Sequence, residues 1–462
     1  MNIQRQKIAI MGMGKTGQSL ARFLLRHGEI CEGFDEHKIK LPDGPGLPLH
    51  IGPFSADTLS QYDLIAVSPG IRWSNPVLTA LREKGVPVTS DLDIFLDHYT
   101  GAIIAFTGTN GKTTTTHLVN IMLETLPGGI DAGGNIGTPM LELLQDEEQP
   151  TRVALELSSF QLERSNRIKP DWAVLLNFQS DHADTHSSKD EYLAAKLRIF
   201  ELQRAGDTAM LPADSEWNDL AEQLQNRDVR TLRFGYCNEN DSESDMLTAG
   251  IMETSNGPAL FWLQHEQRQL IPCEQIPARG THQHMNMAVA AQAAADYGVS
   301  PEVIRETMLC FRGLKHRLEH ICMTAGKDWY DDSKATNPDA AIAALNSFEK
   351  TVWICGGLRK NLDLTALVPV AHEHVVHAFV IGKETRAYTE MLEEAGVPYK
   401  VAGNIQRAVS MASQCQGDDP VLLSPAAASQ DQFTDYVERG CAFANAAQQL
   451  RSAHGRMRGG AA

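Results

Sequence analysis

A glycine-rich turn that ends in a lysine stands between a strand-like segment and a helical pattern near residue 110. The strand-like segment is Ala102–Phe106, and the turn reads Thr107-Gly108-Thr109-Asn110-Gly111-Lys112-Thr113. Backbone N–H groups of such a loop cradle phosphates, the lysine follows the terminal phosphates, and Thr113 can reach Mg²⁺. Phe106 stands where the P-loop pattern has its first glycine, so the prediction depends on the strand–loop–helix context. We predict a phosphate site made of Gly108, Thr109, Asn110, Gly111, Lys112, Thr113 and Thr114.

Two potential metal ligands follow strand-like segments downstream of this loop. Glu156 lies near the end of Val153–Leu157, and His182 follows Ala173–Leu176. Ligands gather at the carboxyl ends of strands in α/β sheets, and Mg²⁺ takes an oxygen ligand together with substrate phosphates. A lone His or Glu is usually an ordinary core or surface residue. The positions of these two residues nevertheless favour a metal site that also includes Thr113.

A second glycine-rich turn lies near the start of the chain. Gly12-Met13-Gly14-Lys15-Thr16-Gly17 follows the strand-like segment Lys7–Met11, and Asp35 ends the next strand-like segment. The turn fits the G-x-G-x-x-G pattern, whose glycines let the backbone approach a phosphate at a helix N-terminus. Alone it indicates either a dinucleotide oxidoreductase or a tight turn without a ligand. Both alternatives stay open on this evidence.

The apolar segments form three groups, and each group alternates short strands with helical spacings. The groups begin at Lys7–Met11, Ala102–Phe106 and Trp329–Tyr330. This rhythm is typical of a parallel sheet covered by helices, and 462 residues exceed what one hydrophobic core usually serves. We therefore predict an α/β fold of three domains, with bounds of 1–98, 99–312 and 313–462.

The composition indicates which partners and which cellular compartment to expect. With 41 basic and 58 acidic residues the formal charge is −17, which disfavours non-specific binding to nucleic acid. Glycines interrupt the apolar run at the N-terminus, and no stretch approaches the length of a membrane span. The eight cysteines stand singly, as in a reducing compartment. We expect a cytoplasmic protein with no membrane insertion and no nucleic-acid partner.

Taken together, these motifs resemble the Mur ligase family, and in particular its glutamate-adding branch. The resemblance covers nearly the whole chain. Two of its motifs, ELSSFQLE and SPAAASQDQF, point most specifically to the glutamate-adding branch. The motifs are GMGKTG, SPG (Ser68–Gly70), TGTNGKTTTT, GGNIG (Gly133–Gly137), AAKLRI (Ala194–Ile199), GLKHRLE (Gly313–Glu319), DSKATN (Asp332–Asn337), ELSSFQLE (Glu156–Glu163) and SPAAASQDQF (Ser424–Phe433).

The resemblance implies an ATP-dependent, amide-forming ligase of peptidoglycan synthesis. Such an enzyme adds D-glutamate to UDP-MurNAc-L-Ala through an acyl phosphate, with ATP and Mg²⁺. It would have a Rossmann-like first domain for UDP, a P-loop ATPase-like central domain with a parallel sheet, and a Rossmann-like third domain for glutamate. We expect a monomer. The alternatives are another amino-acid-adding ligase or a folylpolyglutamate synthase, an NAD-dependent dehydrogenase, and a nucleotide-binding switch without catalysis.

The resemblance also assigns roles to single residues. The implied contacts of the UDP substrate are Lys15, Thr16, Asp35, Ser68, Asn135 and Ser158. Beyond the phosphate loop, the implied ATP contacts are Asn286, Arg317 and Asp332, and the implied glutamate contacts are Thr336, Lys360, Ser429 and Tyr436. The implied catalytic residues are Lys112, His182, Lys196, Arg317 and Lys334. Lys196 matches a lysine that the family carries as a carbamate, which would join Thr113, Glu156 and His182 as a metal ligand.

Three features depart from the family pattern. Gln283 stands where an asparagine is usual, which puts that part of the adenine pocket in doubt. Tyr436 stands where a phenylalanine is expected beside glutamate, so its hydroxyl could alter the pocket. The segment Asn177–His186 keeps Asp181 and His182 but not the usual residues around them.

Overall fold

The computed structural model describes residues 6–37, 46–135, 137–144, 149–178, 188–239, 246–359 and 362–458. These residues form three mostly parallel sheets with helices between the strands, which confirms the predicted α/β class. The chain divides into two compact units. Met1–Ile271 with Asn286–Thr307 make the first unit, and Pro272–Met285 with Met308–Ala462 make the second. The predicted domain bounds near residues 98 and 312 stay predictions.

The first sheet has five parallel strands in the order β3-β2-β1-β4-β5, as in a Rossmann-like fold. Its strands are β1 (Lys7–Met11), β2 (Ile30–Asp35), β3 (Leu49–Ile51), β4 (Leu64–Val67) and β5 (Val88–Ser90). The helices between and after them are α1 (Lys15–Arg26), α2 (Ala56–Leu59), α3 (Pro76–Glu83) and α4 (Asp91–His98).

The second sheet has nine strands in the order β14-β13-β12-β11-β10-β9-β6-β8-β7, and only its far end turns antiparallel, at β12–β13. The strands are β6 (Ala102–Thr107), β7 (Asp131–Gly134), β8 (Arg152–Glu156), β9 (Trp172–Leu175), β10 (Thr208–Pro212), β11 (Arg230–Asn238), β12 (Ala249–Thr254), β13 (Gly257–Gln264) and β14 (Gln267–Pro272). The helices are α5 (Lys112–Leu123), α6 (Ser159–Arg164), α7 (Lys189–Leu197), α8 (Asn218–Gln225), α9 (Thr281–Asp296) and α10 (Pro301–Cys310).

The third sheet has six strands in the order β15-β16-β20-β17-β18-β19, parallel except for β15. The strands are β15 (Glu319–Thr324), β16 (Lys327–Asp331), β17 (Thr351–Cys355), β18 (Val375–Ile381), β19 (Tyr399–Gly403) and β20 (Val421–Leu423). The helices are α11 (Pro338–Leu345), α12 (Leu367–His374), α13 (Arg386–Glu394), α14 (Ile405–Ala412) and α15 (Tyr436–Arg458).

The central strands of all three sheets are buried. All residues of β9 and β17 are buried, as are the last four of β1. Helices cover both faces of a parallel sheet, so its strands read as apolar runs, and polar residues appear only where the strands end. The glycine turn at Gly12–Gly17 therefore follows β1, and the phosphate loop follows β6.

Two further features concern the helices and the cysteines. Among the helices of the described residues, none combines the length and the apolar character that a bilayer crossing requires. All eight cysteines are free thiols in this structure.

Arg164, the last residue of α6, ties the second sheet to the first within the first unit. Its side chain is only 4% exposed. The guanidinium donates to the carbonyl oxygens of Ser68 (2.7 Å) and Pro69 (2.9 Å) and to that of Ile71. Burial raises the pKa of the Asp91 carboxyl to about 6, and the positive charge of Arg164 partly offsets this effect. One buried cation thus holds the loop after β4 against α6.

We predict that Arg164→Ala lowers the free energy of unfolding by about 3 kcal/mol, because the substitution leaves buried carbonyls without donors and a buried carboxyl without its nearby cation. Urea unfolding followed by circular dichroism measures the effect as a lower midpoint.

Arg167→Ala is the matched control. Arg167 lies three residues further on, pairs with Asp97 on α4, and has a side chain that is 53% exposed. Removing an exposed pair costs about 1 kcal/mol or less. Equal midpoints for the two variants would contradict the role given to Arg164.

Candidate active site

The phosphate loop leaves β6 at Thr107 and enters α5 at Lys112. Gly111, just before the helix, has φ 85°, in the left-handed region that favours glycine. A Cβ atom at this position would lie 2.3 Å from Oδ1 of Asn286 on α9. Only glycine lets the loop approach this side chain so closely. The structure thus brings the phosphate loop and the predicted ATP contact Asn286 together.

Asn177, two residues after the end of β9, binds the middle of the loop. The N–H of Thr109 donates to the Asn177 carbonyl at 3.1 Å, and the N–H of Asn110 donates to its Oδ1 at 2.9 Å. The Asn177 amide returns a bond to the Asn110 carbonyl at 3.0 Å. The sequence analysis missed this role. The signal available was its place at the carboxyl end of a strand adjacent to β6.

Two lysine ammonium groups converge on one carbonyl of the loop. Lys112 Nζ donates to the carbonyls of Gly108 (2.8 Å) and Thr109 (3.0 Å), and Lys196 Nζ donates to that of Gly108 (2.8 Å). Lys196 is only 2% exposed and lies 4.5 Å from the centre of the Tyr192 ring. It is therefore not the solvated lysine that most helices carry. The two lysines together hold the Gly108 carbonyl, and Lys112 brings positive charge to the place where phosphates are predicted.

Glu156 ends β8 as a carboxylate that is 2% exposed. Its Oε1 accepts from the amide of Asn135 at 3.3 Å, and its carbonyl accepts from the Asn135 N–H at 2.8 Å. A buried carboxylate needs a cation or strong donors, and hard cations such as Mg²⁺ take carboxylate oxygens. The predicted metal ligand Glu156 and the predicted substrate contact Asn135 are therefore neighbours.

Ser158 begins the next helix as its N-cap. Its hydroxyl accepts from the N–H of Gln161, whose side chain accepts from the Ser158 N–H at 3.1 Å, so the two form a capping box. The Gln161 amide also donates to Asp91 at 3.4 Å. The predicted substrate contact Ser158 therefore lies two residues after Glu156 on a helix end that is fixed at both sides.

Two of the predicted UDP contacts form hydrogen bonds with the backbone of the glycine turn itself. Asp35 Oδ2 accepts from the Met13 N–H at 2.8 Å, and the Ser68 hydroxyl donates to the Gly12 carbonyl at 2.6 Å. The exposed Lys15 donates to the Gly137 carbonyl of the GGNIG segment. Thr16 is half-buried in the first turn of α1. The structure thus groups Lys15, Asp35 and Ser68 around the ends of β1, β2 and β4.

In the second unit, Arg317 stands between two residues with left-handed backbones, His316 (φ 64°) and Leu318 (φ 49°). Such strained backbone persists only where its surroundings hold it. The N–H of His316 donates to Glu319 at 2.9 Å, and its carbonyl accepts from the Lys334 N–H at 3.0 Å. Arg317 and Lys334, both predicted to face phosphates, are therefore joined through the backbone of His316.

Asp332 follows β16 and is held from two sides. Its carboxylate accepts from the Ser424 hydroxyl at 2.8 Å and from the Leu318 N–H at 3.2 Å. Burial raises the pKa of Asp332 to about 7, against the hydrogen bond from Ser424, which lowers it. Although the residue as a whole is half-buried, this carboxyl lies deep enough to change its protonation near neutral pH.

Two of the four predicted glutamate contacts, Thr336 and Tyr436, lie next to Lys334. Lys334 Nζ lies 4.1 Å from the centre of the Tyr436 ring, and the Lys334 carbonyl accepts from the Thr336 N–H at 2.8 Å. Ser429 is buried, and its hydroxyl has no hydrogen-bond partner among the described residues. A buried hydroxyl without a partner is costly, so a ligand that bonds to Ser429 would relieve that cost.

Arg439 on α15 was missed by the sequence analysis. Its buried guanidinium donates to Ser333 Oγ (3.0 Å), to the Ser333 carbonyl (2.8 Å) and to the Ala427 carbonyl (3.0 Å). It thereby joins the Asp332–Asn337 segment to the Ser424–Phe433 segment. Of the predicted site residues, His182 and Lys360 lie outside the described residues. The roles assigned to all of the predicted site residues stay predictions.

Three domain families match successive parts of the chain. "Mur ligase MurD-like, N-terminal domain" matches residues 6–90, "Mur ligase middle domain" matches residues 106–294, and "Mur ligase, glutamate ligase domain" matches residues 316–427. Two solved structures from Thermotoga maritima share the fold. A MurF ligase in complex with ADP is 17% identical (TM-score 0.59, 98% of this chain, 96% of that chain). A UDP-N-acetylmuramate-alanine ligase is 18% identical (TM-score 0.58, 97% and 100%).

Curated relatives match at higher identity. The UDP-N-acetylmuramoylalanine–D-glutamate ligase of Acidobacterium capsulatum is 34% identical, over 96% of this chain and 96% of its own length. The ligase of the same name from Methylobacillus flagellatus is 33% identical over 98% of both chains. With such relatives along its full length and three matching domains in their order, the chain belongs to the Mur ligase family.

Proposed function

We infer that the chain is an ATP-dependent ligase that joins D-glutamate to UDP-N-acetylmuramoyl-L-alanine, an amide-forming step in peptidoglycan precursor synthesis. The curated relatives that match it over almost their whole length carry this activity in their names. The observation in the structure that supports it best is the phosphate loop, packed against Asn177 and Asn286 beside the buried Lys196. A dehydrogenase needs no such second nucleotide loop, and a nucleotide switch needs no glutamate site.

The reaction requires an activated carboxyl group. A carboxylate oxygen of the muramoyl-alanine substrate attacks the γ-phosphorus of ATP, the bond to the β-bridging oxygen breaks, and ADP leaves. The glutamate amine then attacks the acyl carbon, and the C–O bond to phosphate breaks. Both steps place negative charge on oxygens. We propose that Lys112, Arg317 and Lys334 stabilise that charge.

Mg²⁺ suits the buried carboxylate of Glu156, which ends the strand next to the one that leads into the phosphate loop. The Asn135 amide donates to Glu156 Oε1 over a long 3.3 Å, which fits a hard cation as a further partner of the carboxylate. We propose Thr113, Glu156, His182 and a carbamate on Lys196 as the residues that would hold it. When bound, Mg²⁺ neutralises charge on the transferring phosphoryl group.

The buried Ser429 hydroxyl supports the proposed glutamate site, since a carboxylate of glutamate would accept a hydrogen bond from it. We propose that Thr336, Lys360 and Tyr436 complete this site. The proposed domain bounds near residues 98 and 312 fall between the three family matches. A cytoplasmic location is supported by the free thiols. The expectation that the protein is a monomer stays a prediction.

Substrate discrimination tests the proposed function. Phosphate release from ATP should require both UDP-MurNAc-L-Ala and D-glutamate, and L-glutamate or other amino acids should give no more than background. The product should have the mass of the two substrates joined with loss of water. Turnover that prefers another amino acid would assign the chain to a different member of the family.

We predict that Lys196→Ala lowers turnover by about 10²-fold or more, because a carbamate on this side chain would supply an anionic ligand that alanine lacks. A carbamate forms when the neutral amine attacks CO₂ and loses a proton, so acetate in the vacated space should restore part of the activity. Intact mass in CO₂-saturated and CO₂-depleted buffer reads the modification directly.

Lys112→Ala is the control for the acetate experiment, since its loss removes a cation that acetate does not replace. A fully active enzyme whose mass shows an unmodified Lys196 would overturn the carbamate and leave the ligase function in place.

We predict a pH dependence of ATP binding from Asp332. With a pKa of about 7, Asp332 is a full acceptor for ribose hydroxyls at pH 8 and is mostly protonated at pH 6. If only the deprotonated form binds, the KM for ATP should rise by about tenfold between pH 8 and pH 6. The KM for the UDP substrate should not follow this profile. Asp332→Asn should weaken ATP binding at pH 8 and flatten the profile; an unchanged profile in that variant would contradict the assignment.

A further inference from the structure

Cys441, His316 and Asp331 form a line of hydrogen-bonded side chains in the second unit. The sulfur of Cys441 lies 3.9 Å from His316 Nε2, and His316 Nδ1 lies 2.7 Å from Asp331 Oδ2. Because the Asp331 carboxylate accepts at Nδ1, that nitrogen carries the proton and Nε2 presents its lone pair to the thiol. A thiol, an imidazole and a carboxylate in this order are the arrangement of an activated cysteine nucleophile.

A glycine on α15 makes this arrangement possible. A Cβ atom at Gly440 would lie 2.2 Å from His316 Nδ1 and 2.6 Å from Asp331 Oδ2, so the helix backbone packs directly on the buried pair. The next residue, Cys441, then faces the far side of the imidazole. One turn earlier the ring of Tyr436 meets His316 edge-on, with ring centres 6.3 Å apart. The imidazole is thus held between α15 and β16.

The other charged groups around the imidazole are already engaged. Glu319 accepts from the backbone N–H of His316, and Asp331 also accepts from the N–H of Ser333 at 2.9 Å. Lys334 lies over the Tyr436 ring. Cys441 itself is partly exposed, whereas His316 is buried.

We propose that Cys441 is a modification site, a thiol that His316 deprotonates for attack on small disulfides and alkylating electrophiles. His316 Nε2 takes the thiol proton, and the sulfur attacks one sulfur of a low-molecular-weight disulfide. An S–S bond to Cys441 forms as the S–S bond of the reagent breaks, and the departing thiolate takes the proton from the imidazolium. No electron is gained or lost overall, and a dithiol reverses the step.

The adduct acts on the predicted phosphate contacts. An adduct on Cys441 occupies the space against His316, whose backbone carries Arg317 and receives the Lys334 N–H. His316 and Leu318 hold left-handed backbones, and such backbones persist only where their surroundings hold them. Displacing the imidazole therefore misplaces Arg317 and Lys334, and turnover falls. This consequence rests on the proposed function, whereas the reactivity of Cys441 does not.

The first test measures alkylation of the full chain by iodoacetamide, residue by residue, with peptide mass spectrometry. Cys310 is the internal control, because it is exposed and belongs to the same unit. We expect Cys441 to react about tenfold faster than Cys310 despite its lower exposure, since the thiolate is the reactive form. A Cys441 rate equal to or below that of Cys310 would overturn the proposal.

His316→Gln separates activation from accessibility. It should slow Cys441 to below the rate of Cys310 and leave Cys310 unchanged. If circular dichroism shows this variant to be unfolded, the ratio of the Cys441 and Cys310 alkylation rates in the unaltered chain is the result that tests the proposal.

The second test measures phosphate release after treatment with hydroxyethyl disulfide. The unaltered enzyme should lose most of its turnover and regain it with dithiothreitol, while Cys441→Ser should keep its turnover throughout. Equal loss in both would place the sensitive thiol elsewhere. If Cys441 is reactive but the untreated enzyme has no ligase turnover, the proposed function fails and the reactive thiol stands.

Discussion

The phosphate loop turns its backbone sharply between β6 and α5, and the polar groups of that turn need partners from other parts of the chain. Asn177 supplies them at Thr109 and Asn110, and two lysines supply them at the carbonyl of Gly108. Buried backbone groups without partners are costly, so the loop keeps its shape only while these side chains are in place. The order of β9, β6 and β8 in the sheet is what brings them there.

Buried charge plays the corresponding role in the second unit. Arg439 binds two backbone segments through carbonyl oxygens, and the His316–Asp331 pair lies under α15. A buried guanidinium that donates to main-chain carbonyls fixes the spacing of the segments without depending on their side chains. The segments themselves then carry the polar groups proposed for the substrates. The buried residues thus hold the segments in place, and other residues near them carry the chemistry proposed for the substrates.

Much of the fold could be predicted from local patterns. The bounds predicted for β1 agree with the structure, because buried parallel strands read as short apolar runs. α1 begins at Lys15, since the glycine turn leads straight into the helix. The strand β7 has the sequence DAGG, which has almost no strand propensity, and it forms only because β8 pairs with it.

The candidate site shows the same division. The phosphate loop could be predicted because its glycines, lysine and flanking elements are contiguous in sequence. Asn177, Arg164 and Arg439 could not, because each has partners that lie tens of residues away in the chain. Lys196 reads as a solvated helical lysine in its local context, and only the packing of α7 shows it to be buried. Long-range packing decides such roles, and a single sequence does not display it.

Arg164 reaches the loop after β4 through main-chain oxygens alone, and this gives the two partners unequal freedom to vary in evolution. Every residue type offers a carbonyl, so substitutions at Pro69 or Ile71 that keep the backbone path leave these hydrogen bonds intact. No other side chain provides a planar fork of donors, so position 164 has no equivalent substitute. The loop can therefore diversify, while the arginine that holds it stays constrained.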